Sequence, residues 1–126
     1  MNLLNFAHPL PATTCAAIAA AAGAPLATII EMQPQLDTDG AFAPQIAALL
    51  ERTGISSEYF QTEPWLVVLP ALNYIAALIL AELHGRLGHF PAIIRLRPVA
   101  NGPVTHYEFA EIIDLDHVRQ HARTRR

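Results

Sequence analysis

The chain has 126 residues, of which 52 % are hydrophobic and 15 % charged, with a net charge of −3. That composition supports one domain with its own core and excludes disorder, and the net negative charge argues against sequence-independent binding to long nucleic acid, although four of the eight arginines crowd into residues 119–126. Cys15 is the one cysteine, so no intramolecular disulfide can form and the chain fits a reducing cytoplasm.

Met1-Asn2-Leu3-Leu4 lacks the basic start of a secretory signal. Leu3 to Phe6 reads as a first short strand, and Ala7-His8-Pro9-Leu10-Pro11 leaves it through a turn that two prolines stiffen. Ala12 to Ala22 follows as a helix with Thr13 or Thr14 as N-cap, Gly23 as C-cap, and Cys15 as a small core residue on one face. Leu26 to Met32 is the second strand, broken by Gln33-Pro34-Gln35. Leu36 to Gly40 echoes a calcium loop, lacks the distal glutamate at the required spacing, and reads as an ordinary turn. A second helix runs from Ala43 to Arg52, its face formed by Phe42, Ile46, Leu49 and Leu50, with Gly54 closing it and a helical turn at Ser57 to Phe60.

Glu63 to Pro98 organises the rest. Trp65 to Leu69 is a continuous apolar run between Pro64 and Pro70, the pattern of a strand covered on both faces in a parallel sheet. Ala71 to Leu83 is a helix with polar atoms only at Asn73, Tyr74 and Glu82, apolar almost all round and expected to pack in part on a second copy of the chain. Gly85 and Gly88 end it. The run from Pro64 to Ala81 is as long as a membrane span, but Pro70 and Asn73 interrupt it, so no membrane segment is expected. Pro91 to Arg97 resumes the sheet, Asn101-Gly102 signals a hairpin, Thr105 to Ile113 returns antiparallel, and Asp114 caps a terminal helix with arginines at its far end. Strand-helix-strand units closed by a hairpin and a helix predict a single α/β domain over residues 1–126, Rossmann-like, with a mostly parallel sheet.

Such sheets bind ligands beyond the carboxyl ends of their strands. The candidate ligand-binding residues collected there are Asn5, His8, Pro9, Gln33, Pro70, Asn73, Arg95 and Arg97. Arg95 and Arg97 lie two apart on one face of a strand, suited either to gripping phosphate bidentately or to pairing with glutamate or aspartate. Asn73 either caps its helix or meets a ligand at the anion-friendly helix start. His8 either donates to a phosphate or an adenine edge, or packs on Pro9 as a turn residue. His117 and His121 have metal-compatible spacing with no further ligand to complete a site, and the C-terminal arginines read as a solvated tail or a phosphate contact. There is no dinucleotide fingerprint, no phosphate-binding P-loop motif, no lysine, and no serine or cysteine nucleophile motif. No cofactor and no metal are implied.

Two segments carry a resemblance: Leu3 to Leu10, and Leu69-Pro70-Ala71-Leu72-Asn73 through Ala81 to Arg86 and on to Phe90 to Pro98. They resemble the small CRISPR-associated accessory proteins of the Csx series, member number fifteen, found beside type III CRISPR systems. The resemblance implies a CARF-like homodimer that handles cyclic oligoadenylate, with cyclic tetra-adenylate the expected ligand and larger assemblies formed on binding. Sequestration of the ring is the leading expectation. A metal-independent ring nuclease using His8 or Arg95 is the alternative, and a structural dimerisation module without ligand is a third.

Overall fold

Burying a strand on both faces requires helices on both sides, and the computed structural model, which describes residues 1–126, supplies them. The elements run β1 (Asn2–Asn5), α1 (Ala12–Ala22), β2 (Thr28–Glu31), α2 (Phe42–Glu51), α3 (Ser57–Thr62), β3 (Trp65–Val68), α4 (Asn73–Leu87), β4 (Ala92–Asn101), β5 (Val104–Asp114) and α5 (Leu115–Arg123). The sheet order is β2-β1-β3-β4-β5, parallel except for the antiparallel β4–β5 pair. This is the α/β, Rossmann-like architecture expected from the sequence.

All four residues of β1 and all four of β3 are buried, because the two strands lie side by side in the middle of the sheet. Alternate residues feed opposite cores. Leu4, Phe6, Trp65 and Val67 pack with Ile46, Leu49 and Leu50 of α2, Phe60 of α3, and Ile75, Ile79, Leu83 and Leu87 of α4. Leu3, Leu66, Val68 and Ile94 point the other way, onto Ile18 of α1. One face therefore carries three helices and the other carries α1, as a doubly wound sheet requires.

Helix α4 is longer than the sequence pattern indicates. It runs through Gly85 and stops at Gly88, whose φ of 85° is the left-handed cap conformation that glycine adopts without strain. Helix α1 has Pro11, not Thr13 or Thr14, at its N-cap, and Thr14 is buried inside the helix. Arg86 ties α4 to α2: it sits 2.8 Å from Glu51 and 3.0 Å from Glu82. Burial opposes its charge, but the hydrogen bonds and charges of Glu82 and Glu51 outweigh that and hold its pKa above the ordinary guanidinium value. No helix is long and apolar enough to cross a membrane.

Strands β4 and β5 outrun their neighbours. β3 pairs with β4 only at Leu66–Ala92 and Val67–Ile93, so the hairpin from Arg95 onward projects roughly 20 Å past the carboxyl end of β3 at about 3.3 Å per residue. The pairing slips between Arg95–Glu111 and Leu96–Phe109, which makes Ala110 the extra residue of a bulge. That slip is why Thr105 to Ile113 alternates only loosely.

Candidate functional site at the carboxyl edge of the central strands

After β1 the chain turns away to α1 on one face, and after β3 it turns away to α4 on the other. A cleft between divergent connections is where doubly wound sheets bind ligands. Its floor is knitted by the Phe6 N–H donating to the Val68 carbonyl at 2.9 Å and the Met32 N–H to the Asn5 carbonyl at 2.8 Å.

Asn5 is completely buried, and both ends of its side chain are engaged by its own loop. Its Nδ2 donates to the His8 carbonyl and its Oδ1 accepts from the Ala7 N–H, each at 3.0 Å. It holds the loop from behind and presents no group to a ligand. His8 and Pro9 are thereby exposed on that loop, while Pro70 is half-buried at the opposite wall. Gln33 is exposed beyond β2, an outer strand, so it stands at the periphery.

Both helices that start at this edge lack a side-chain N-cap at Pro11 and at Leu72, and neither has an acidic residue in its first turn. Asn73 is the first residue of α4 rather than its cap, and its Oδ1 accepts from the adjacent Tyr74 N–H at 2.8 Å. The remaining first-turn amides of both helices have no intrahelical acceptor, so two positive helix ends flank the cleft.

Arg95 and Arg97 lie just past the end of β3, on the sheet face that α4 covers. Each is paired across the hairpin, Arg95 with Glu111 at 3.3 Å and Arg97 with Glu108 at 2.6 Å. The two guanidiniums are not free, as a phosphate clamp read from the sequence would have them. Both pairs are about half-exposed, a setting in which an ion pair is worth about 0–1 kcal/mol and yields readily to a better acceptor.

Pattern reading passes over two further residues here. Tyr74 is 73 % exposed and Leu72 60 % exposed, both at the start of α4 beside Asn73. The sequence signal was present: Tyr74 is the one aromatic in a helix otherwise built of aliphatic side chains, alanine and a few polar groups. An exposed aromatic next to free amides offers a base a stacking surface and its phosphate a set of donors. His117 and His121 stack on α5, and no group of three metal-ligating side chains forms anywhere in the chain. Comparison with protein families, with characterised proteins and with solved structures finds no match for this chain.

Proposed function

We propose that the protein binds cyclic oligoadenylate, cyclic tetra-adenylate above all, at the carboxyl edge of β1 and β3, and lowers its free concentration in type III CRISPR signalling. The observation that carries this reading is the switch point between β1 and β3: two uncapped helix starts follow these strands, with His8 and Tyr74 exposed beside them. Phosphates are met by backbone amides and by His8, bases by Tyr74 and Leu72, and the half-exposed Arg95 and Arg97 exchange their glutamates for phosphate oxygens. The resemblance of the flanking segments to CRISPR accessory proteins supplies the identity of the ring. The edge offers donors and stacking surfaces, which favours holding the ring over opening it.

Replacing Arg95 and Arg97 together by alanine tests this assignment. The expected result is an affinity for cyclic tetra-adenylate lowered about tenfold or more, since a charge-assisted contact is worth roughly 1.5–3 kcal/mol. The melting temperature should stay within error, because the two exposed pairs add little to stability. Unchanged affinity in isothermal titration moves the phosphates away from the hairpin.

The same reading includes a homodimer through α4. Ala77, Ala81 and Gly85 are exposed along one side of that helix. A methyl group at Gly85 would meet nothing within 4 Å in its own chain, so no intrachain contact explains a glycine that costs about 1 kcal/mol in a helix interior. Close approach of a second α4 does explain it. Leu78 is a poor probe of this contact because it also packs on the larger core. Ala81→Glu should therefore give folded monomers, and a dimer of unaltered mass in light scattering would remove α4 from the interface.

A further inference from the structure

The four C-terminal arginines are remote from the carboxyl-edge cleft. Asp114 pairs with Ala92, the first residue of β4, so β5 ends and α5 begins at the amino edge of the parallel strands, the opposite pole of the sheet. There Arg119, Arg123, Arg125 and Arg126, with Ala122, line a shallow hollow open to solvent.

Their environment differs from that of most arginines in the body. Arg86, Arg95 and Arg97 each lie within 3.3 Å of a glutamate, and of the body arginines only Arg52 has no ion pair. At the amino pole the one acidic neighbour is Asp116, 4.0 Å from Arg119 and already accepting from Gln120. Arg123, Arg125 and Arg126 have no carboxylate within 4.0 Å. Stabilising a helix C-terminus takes one or two cations in the last turn, and four guanidiniums around one hollow repel one another beyond that need. Arg119 and Arg123 are also one turn apart on α5, about 6 Å along its axis, so they reach successive anionic groups of one ligand.

We propose that this hollow is a second anion site, distinct from the carboxyl-edge cleft, that takes a short stretch of single-stranded RNA through consecutive phosphates. Guanidinium forks grip phosphate bidentately and stack on unpaired bases, which suits an all-arginine cluster. Of the residues on α5 only Val118 is a large apolar side chain left exposed, so the helix offers little apolar area with which to anchor in a lipid surface. The net charge of −3 confines the attraction to this pole, which limits the site to a few phosphates.

The test is fluorescence anisotropy with a labelled oligouridylate, which carries phosphates and no adenine. With three to four phosphates neutralised, log affinity should fall against log salt with a slope of about −2 to −3, a loss of roughly 20- to 50-fold between 50 and 200 mM salt. Arg123→Glu with Arg125→Glu should weaken binding at least tenfold and make the slope shallower by about 1.4, at about 0.7 for each phosphate no longer neutralised. Both positions are exposed, so the melting curve should not move, and the milder Arg123→Gln with Arg126→Gln should show the same trend. Tyr74→Ala should leave oligouridylate binding untouched, and the arginine variants should leave cyclic tetra-adenylate binding untouched. The proposal is overturned by an unchanged salt slope after charge reversal, by loss of oligouridylate binding in Tyr74→Ala, or by tighter binding to vesicles of equal phosphate content.

Discussion

Asn5→Ala should destabilise the protein by roughly 2–4 kcal/mol, because it deprives the part-buried Ala7 N–H and His8 carbonyl of their partner, at about 1–3 kcal/mol for each unpaired group. For a domain of this size that lowers the melting temperature by roughly 10 °C. The variant that remains folded should also bind ligand poorly, since only the packing of Ala7 and Leu10 is left to hold the loop that presents His8. Asn5→Asp separates the two bonds. A carboxylate accepts from Ala7 but cannot donate to the His8 carbonyl, whereas the protonated acid does both. Burial and that carbonyl both favour the neutral form, so the folded-state pKa of the new carboxyl lies above its unfolded value of about 3.9. The destabilisation is then absent below that pH and grows as pH rises through the folded-state value. Thermal melts of Asn5→Asp that are no better at acid than at neutral pH, relative to the parent at each pH, would rule out a stabilising role for the hydrogen bond to His8.

Tyr74→Ala should cost cyclic tetra-adenylate binding about 5- to 150-fold, the equivalent of roughly 1–3 kcal/mol for one base lost from an aromatic platform. Tyr74 is too exposed to matter for folding, so the melting temperature should stay within error. Tyr74→Phe should keep nearly all the affinity, because the ring face and not the hydroxyl does the binding. Titration calorimetry on the three proteins decides the matter, and a phenylalanine variant as weak as the alanine one points to a hydrogen bond instead of stacking.

The parts of this fold that were legible in the sequence are those where local chemistry and tertiary demand coincide. An unbroken apolar run between prolines, Trp65–Val68, can only be an interior strand, and Asn101-Gly102 is the turn its dipeptide chemistry demands. Gly85 misleads because a glycine on an exposed helix face is tolerated at modest cost, and only its surroundings separate it from Gly88, which takes the left-handed cap. Thr13 and Thr14 look like caps by residue type, yet Thr14 faces the core.

At the site, positions that follow a strand end were readable: His8, Pro70 and Asn73 all stand on the edge. The engagement of Asn5 was not readable, because it depends on the loop after β1 folding back so that the Ala7 N–H and the His8 carbonyl meet its side chain. The glutamate partner of Arg95 was hidden for a different reason. Glu108 faces Arg97 in the register set by the hairpin turn, but Glu111 faces Arg95 only because of the bulge at Ala110, and one extra residue changes every cross-strand neighbour beyond it.

The most direct measurement is to mix purified protein with labelled cyclic tetra-adenylate, follow the complex by size-exclusion light scattering, and chromatograph the nucleotide afterwards. The expected result is one intact ring per dimer, shared across the two-fold axis, with apparent mass rising where an exposed ring face meets a second dimer. Free ring with an unbound protein contradicts the site, and recovery of linear adenylate products contradicts sequestration.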